Sequence, residues 1–352
     1  MDHPIISVVI TAFRAGSLIR EAIDSVLAQT FQDIEIIVVD NNASEDTRDA
    51  FNEAARLNPD KIRVIHEPTQ GVPSARNFGI RESKGTYVAL LDDDDRMYPN
   101  RLSKQLEAME GSPEVSLVYG LLDIVSFDGQ TIVEKNKVDL PGAWSTSLFG
   151  DHPRFKLDPL VEPRPSVTFF RKDRAIEAGL FDERFNPIFV EETDFYLRMW
   201  DLGPFKLVPE AVIAFRLPSP AFLNKKRTGN TNSLMAKRNL SLFFSKLVEK
   251  YYRKNDQNIR RKFHKIQSQW LRELSMDVFG CRDGRRIGRS LLLRALWANP
   301  TDPKNWKWFL RSYLSDKKLL NALNLQEFSP HLLSEMTDQE KLGEFFRLPD
   351  NV

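Results

Sequence analysis

The chain has almost no cysteine, few histidines and no long apolar run, and each scarcity excludes a class of protein. A single cysteine, Cys281, among 352 residues cannot form an intramolecular disulfide and fits a reducing compartment. The five histidines, His3, His66, His152, His264 and His331, are scattered and give no zinc-type spacing. No apolar stretch approaches a membrane span, and Met1-Asp2-His3-Pro4 does not resemble a signal peptide, so the cytoplasm is the expected compartment. No Gly-x-Gly-x-x-Gly follows an early strand, which excludes a nucleotide dehydrogenase. The loop Thr11–Gly16 is not glycine-rich and no Walker sequence occurs, which argues against a phosphate-cradle enzyme.

What remains is an ordinary globular composition with an uneven charge. Apolar residues make up 41% and charged residues 28%, enough for one large domain with an appendage or for two. The net charge of +1 conceals a basic block: residues 224–318 hold 24 Lys or Arg against 7 Asp or Glu, while the rest of the chain is correspondingly acidic. Blocks of opposite sign imply two functional regions, the basic one facing an anionic partner. The expected division is 1–222 and 223–352. No glycine- or serine-rich linker separates the two, so the later helices are expected to pack against the first region.

The first hundred residues alternate strand and helix signals. Strands are expected at Ile5–Ile10, Ile34–Val39, Ile62–Ile65 and Tyr87–Leu91, with Ser17 capping a helix that places Ile19, Ala22, Ile23, Val26 and Leu27 at helical spacing. A further helix covers Ser74–Glu82. Such alternation gives an α/β fold with a mostly parallel sheet, whose ligand loops lie at the strand C-termini. Thr11–Phe13, Asp40 and the four consecutive aspartates Asp92-Asp93-Asp94-Asp95 then converge at one edge. Adjacent carboxylates raise one another's pKa unless a cation neutralises them, and hard oxygen ligands suit Mg2+ or Mn2+. An acidic turn favouring the next helix's N-terminus is the plainer account of the same residues. Later strands are expected near Val115–Tyr119, Val167–Phe170 and Val212–Phe215, with a helix at Glu192–Leu202. Helices follow at Leu240–Tyr251, Phe263–Val278, Ile287–Trp297 and Asn305–Leu314.

Five spaced elements carry a resemblance over about residues 5–216. They are SVVITAFRA at 7–15, VVDNNASEDT at 38–47, QGVPSARNFGI at 70–80, ALLDDDDRMYPNRL at 89–102, and GLFDERF at 179–185 followed by VEETDFYLRMWDLG at 190–203. Together they resemble the GT-A-fold inverting glycosyltransferases of family 2. The resemblance implies a Rossmann-like mixed sheet flanked by helices, here with a C-terminal helical extension. It implies transfer of a sugar from a nucleotide-diphosphate donor, UDP favoured, to an acceptor hydroxyl, in polysaccharide or glycan synthesis. The alternative is a non-catalytic protein retaining the fold.

By the same resemblance, Thr11, Ala12 and Phe13 form the nucleotide loop, Phe13 stacking on the base and Asp40 accepting from a base N–H. Core packing for Phe13 and turn capping for Asp40 are the plainer readings. Arg76 is assigned to the base or phosphate neighbourhood. Asp92 contacts ribose or metal-bound water, one or both of Asp94 and Asp95 ligate Mn2+ or Mg2+, and Asp93 holds the variable position. The catalytic base comes from Glu191-Glu192-Thr193-Asp194: Glu192 falls where aspartate is usual, with Asp194 and Glu191 as the other candidates. Phe215-Arg216-Leu217-Pro218 lacks the histidine common at that place, and Asn41 and Asn42 replace common acids.

The basic region mixes lysine and arginine with Trp270, Trp297, Trp306 and Trp308. It reads either as a platform for an anionic membrane or a lipid-linked acceptor, or as a helical subdomain with a solvated basic surface. The expected partners are a nucleotide sugar and a glycan or lipid-linked acceptor. No nucleic-acid motif is visible, so no nucleic acid is expected.

Overall fold

The computed structural model describes residues 3–137, 163–186, 190–218, 257–279 and 285–323, with positions 239, 242, 243 and 246 between them. The chain divides into two compact units, Met1–Pro220 and Ala221–Val352.

The first unit contains the expected early strands: β1 (Ile6–Ala12), β2 (Ile34–Asp40), β3 (Ile62–His66) and β4 (Tyr87–Asp92). They are followed by β5 (Arg96–Met97), β6 (Leu117–Val125), β7 (Ile132–Lys137), β8 (Thr168–Arg171) and β9 (Phe205–Arg216). These nine strands form one sheet in the order β3-β2-β1-β4-β8-β6-β9-β5, with β7 pairing β6. The half β3-β2-β1-β4 is parallel, as strands joined by helices must be. Beyond it the sheet is mixed: β8 runs antiparallel between β4 and β6, and β6 pairs β9 in parallel.

The helices are α1 (Leu18–Leu27), α2 (Glu45–Leu57), α3 (Val72–Glu82), α4 (Arg101–Glu110), α5 (Lys172–Glu177) and α6 (Glu191–Leu202). Strand alternation sorts the core into two layers. Ile6, Val8, Ile10, Ile36 and Val38 face α1, α2 and α4, whose Ile23, Phe51 and Leu102 complete that side. Val9, Ile37, Val39, Val88 and Leu90 face Ala75 and Ile80 of α3 and Phe195 and Met199 of α6. Each large side chain so buried contributes roughly 1.5–3 kcal/mol. Gly79 lets α3 close onto the sheet, since a Cβ there would stand 2.4 Å from Val9 Cγ1.

Two local expectations are corrected. Ser17 precedes α1 but makes no side-chain cap hydrogen bond, because its backbone (φ −70°, ψ −13°) is already helical rather than extended. The strands read near Val115–Tyr119 and Val212–Phe215 are longer, reaching Val125 in β6 and starting at Phe205 in β9. Register shifts between Gly120 and Leu122 absorb an irregular stretch of β9 around Pro209 and Glu210.

The second unit is helical: α7 (Gln257–Phe279), α8 (Arg285–Ala298), α9 (Pro303–Arg311) and α10 (Asp316–Leu323). Phe279, Leu292 and Leu319 centre its apolar cluster, against which Trp308 and Phe309 pack. A polar knot fastens α7 to α9: Arg272 Nη1 donates to Asp302 Oδ2 (2.7 Å) and Asn305 Oδ1 (2.8 Å). The helix read at Leu240–Tyr251 lies outside the described residues apart from positions 242, 243 and 246.

Candidate active site

The parallel register brings the candidate residues to one edge. Thr11 pairs with Asp92 across β1 and β4, and Ala12 with Asp40 across β1 and β2. The strand tips bearing Thr11–Phe13, Asp40 and the aspartates therefore lie side by side.

At the tip of β4 the chain doubles back. The Asp95 N–H donates to the Asp92 carbonyl (3.3 Å), and the Asp92 N–H to Ser166 Oγ (3.0 Å). Asp95 is buried; its Oδ1 accepts from the Arg216 backbone N–H (3.0 Å), while its Oδ2 is buried without a hydrogen-bond partner. Arg216 clamps the turn: Nε donates to the Asp94 carbonyl (2.9 Å), Nη1 to the Phe127 carbonyl (2.7 Å) and Nη2 to Glu21 (2.8 Å). The arginine noted in the sequence only for the histidine missing beside it thus holds the aspartate turn in place.

Crowding raises the acids' proton affinity. Burial, then Asp94 and Asp92, push Asp93 up to about 7, against the lowering effect of its hydrogen bond from Phe13. Burial and Asp92 push Asp94 up to about 6, with Arg216 and Arg164 opposing. Burial and the same neighbours hold Asp95 well above the ordinary carboxylate range. A divalent cation would relieve this repulsion, and the donor set fits one: hard carboxylate oxygens, with the orphaned Asp95 Oδ2 among them. Among the described residues no three His, Cys, Asp or Glu side chains are gathered as a ready cage. A hard cation held through one or two carboxylates, with diphosphate and water completing its shell, needs no such cage.

Just past the tip of β1, Phe13 is 38% exposed, with the Arg14 guanidinium 4.6 Å from its ring centroid, so it is not a core residue. Its backbone N–H donates to Asp93 Oδ2 (2.9 Å). Asp93, the variable position of the motif, therefore joins the aspartate turn to the aromatic loop. Asp40 is buried; Oδ1 accepts from the Ala43 N–H (2.8 Å), and Oδ2 stands 3.2 Å from Arg48 Nε and 3.5 Å from His66 Nδ1. Turn capping is what occupies its first oxygen. Asn41 organises the neighbouring loop, donating to the Glu67 and Thr69 carbonyls (2.9 and 2.7 Å) and accepting from the Gly71 N–H (2.9 Å).

On the opposite side stands α6, entered through Val190 in the left-handed region (φ 70°), a costly conformation for a β-branched residue. Arg76 connects it to the aspartate tip. Its Nη2 lies 3.1 Å from Asp92 Oδ1, and its Nη1 lies 3.3 Å from Glu191 Oε1 and 3.6 Å from Glu192 Oε2. Burial disfavours the guanidinium charge, but Asp92, Glu191 and Glu192 more than offset this and raise its pKa. Asn77 fixes the adjoining loop by exchanging hydrogen bonds with the Phe181 backbone (both 2.8 Å). Of the three candidate bases, Glu191 and Asp194 keep 2% and 6% of their side-chain surface, Asp194 on Arg198 at 2.7 Å, whereas Glu192 keeps 33%.

Sequence reasoning missed Ser166, the clamping role of Arg216, and Arg101. Arg101 is buried beneath the site, donating from Nη2 to the Leu90 and Thr168 carbonyls (both 3.0 Å). Arg101 lies within the 89–102 element without a role assigned to it, and Ser166 and Arg216 act on backbone atoms of the aspartate turn far away in sequence.

The chain is similar to known proteins in sequence and in fold. The family model described as Glycosyl transferase family 2 matches residues 7–176. An uncharacterized glycosyltransferase of Rickettsia felis is 36% identical over 130 residues, covering 37% of this chain and 21% of that protein. One of Nostoc sp. is 37% identical over 127 residues, covering 36% and 39%. This chain thus spans well under half the length of these curated relatives. A more distant one, of Methanocaldococcus jannaschii, is 26% identical over 222 residues and is matched over 73% of its length. Among solved structures, S. aureus TarS 1-349 in complex with UDP-GlcNAc superimposes with a TM-score of 0.52 at 14% identity, covering 88% of this chain and 91% of that one. That likeness shows the fold, a mixed, mostly parallel sheet flanked by helices.

Proposed function

We propose, from the premise that residues 7–176 match the family model described as Glycosyl transferase family 2, that this chain transfers a sugar from a nucleotide diphosphate to an acceptor hydroxyl with inversion. The observation that carries the proposal is the Arg76 bridge, which joins the aspartate tip to the acids of α6, and we read the two as the donor side and the acceptor side of one site.

Phe13 stacks on the base, and Asp40 orients it through an N–H. Asp94 and Asp95 would hold a divalent cation, Mn2+ or Mg2+, which would supply positive charge to neutralise the departing diphosphate. Glu192, the most exposed of the three acids, takes the proton of the acceptor hydroxyl. The hydroxyl oxygen bonds to the anomeric carbon from the face opposite the diphosphate, whose bond to that carbon breaks in line. Arg76 orients Glu191 and Glu192 by opposite charge and touches neither reacting atom. We assign the reaction to polysaccharide or glycan synthesis, with a glycan or lipid-linked acceptor, and assign residues 224–318 a peripheral contact with an anionic membrane. Among the described residues no helix is long and apolar enough to cross a membrane.

Because a protein of the same fold has been solved with UDP-GlcNAc, UDP is the first nucleotide to test. Calorimetric titration with UDP, GDP and dTDP, each with Mn2+ and with EDTA, is expected to show metal-dependent binding of UDP. Asp95→Ala and Asp40→Ala should each abolish it. Absence of binding for all three nucleotides would overturn the proposal.

A further inference from the structure

Two helices of the second unit expose apolar side chains while already burying a separate face. On α8, Leu291, Leu292, Ala295 and Leu296 are buried, yet Leu293 and Trp297 stand 54% and 67% exposed. With Arg286 and Ser290, also exposed, they occupy positions i, i+4, i+7 and i+11, which fall within about 60° of one another at 3.6 residues per turn. On α9 and the turn after it, Asn305 and Ser312 are buried while Trp306, Leu310 and Tyr313 are 50%, 67% and 61% exposed, again at i, i+4 and i+7. Single exposed apolar residues are unremarkable, but a helical stripe of them is a binding feature.

The charge around these stripes has one sign. Residues 285–311 contain seven Lys or Arg and one acid, Asp302, which is occupied by Arg272 at 2.7 Å. Arg286, Lys304 and Lys307 are exposed beside the stripes, and Arg289 lies over the Tyr313 ring, 4.2 Å from its centroid. The Trp306 indole N–H is satisfied internally by the Pro300 carbonyl (2.9 Å), which leaves ring hydrocarbon outward. Aliphatic and tryptophan side chains rimmed by cations match the boundary between phospholipid headgroups and acyl chains. A nucleic acid would use the cations and aromatic rings but has no use for Leu293 and Leu310.

We infer that the exposed stripes of α8 and α9 dock on an anionic phospholipid bilayer, Leu293, Trp297, Trp306 and Leu310 entering the interface and Arg286, Lys304 and Lys307 meeting the headgroups. The inference rests on the membrane contact proposed above and not on the transfer chemistry.

Flotation of the full chain with phosphatidylcholine vesicles, with and without added phosphatidylglycerol, tests it. The wild type is expected to float with the anionic vesicles only and to be released by salt. Each surface cation contributes about fivefold to partition, so Lys304→Glu with Lys307→Glu should weaken it at least about 25-fold. Leu293→Ser with Leu310→Ser should abolish flotation at unchanged charge, with an unchanged thermal melt and unchanged UDP titration as controls. Equal binding to both vesicle types, or flotation retained by both variants, would overturn the inference. So would binding to a homopolymeric RNA without flotation. A wild type that floats but binds no nucleotide would defeat the transferase proposal alone.

Discussion

Replacing Arg76 by methionine should separate the scaffold role of the bridge from any contact with the nucleotide. The guanidinium is 4% exposed and lies between Asp92, Glu191 and Glu192, with the Phe181 ring centroid 5.4 Å away. Methionine keeps most of the packing and removes the charge. Glu191, 1% exposed, then loses the guanidinium that lies 3.3 Å from its Oε1. Removing one partner of a buried pair costs about 3–5 kcal/mol, whereas an exposed pair contributes under about 1 kcal/mol. In a unit of this size, about 3 kcal/mol corresponds to a fall of roughly 6–12 °C in melting temperature. Adding Glu191→Gln to Arg76→Met removes the buried carboxylate charge as well and should restore at least about 2 kcal/mol, a coupling typical of contacting residues. Urea and thermal melts in EDTA read these differences without bound ligand. A single variant within about 0.5 kcal/mol of wild type, or a double variant no more stable than Arg76→Met, would refute the bridge as a stabilising contact.

Asp93, pushed up to about 7, binds its proton more tightly in the folded than in the unfolded chain. Its contribution to stability is therefore full below about pH 4 and is lost as pH rises through 7. The shift caps the effect near 4 kcal/mol at about 1.4 kcal/mol per unit, and the partial exposure of Asp93 reduces the expectation to about 2 kcal/mol. Asp93→Asn should accordingly stabilise the EDTA-treated protein at pH 8 and flatten its stability profile between pH 4 and 7; an unchanged profile would contradict the assignment. For Glu192→Gln, kcat with a soluble acceptor should fall by about 10²–10⁴ while UDP affinity stays within twofold. A wild-type kcat in that variant would move the base to Asp194 or Glu191.

The sequence made some of this architecture plain and hid the rest for physical reasons. β1, β2 and β4 are parallel strands covered on both faces, so their apolar runs are continuous and readable. β9 has one half-exposed stretch containing Lys206, Pro209 and Glu210, which breaks the pattern, and so only its last turnward residues stood out. Nothing local in Thr168–Arg171 says that it inserts between β4 and β6. The same contrast holds at the site. Asp40, Asp92, Asp94 and Asp95 advertise themselves by type and spacing, and the fold does bring them to one edge. Ser166 and Arg216 act on backbone groups of the aspartate turn and leave no motif. Asp93 was set aside because pattern matching ranks a variable position low, although its carboxylate meets the Phe13 N–H.

The late return of β8 and β9 also fixes an order of assembly. The parallel half of the sheet is complete once the chain has reached Asp92, and its contacts are comparatively local. The aspartate turn at its tip is finished only by Ser166, 74 residues beyond Asp92, and by Arg216, 121 residues beyond Asp95. Contacts of such long separation form after local ones, because the entropy of closing the intervening chain must first be overcome. A nascent chain therefore owns the strand that bears its acids well before it owns the geometry that makes them useful. The acidic cluster is held in place only when nearly the whole first unit has folded around it.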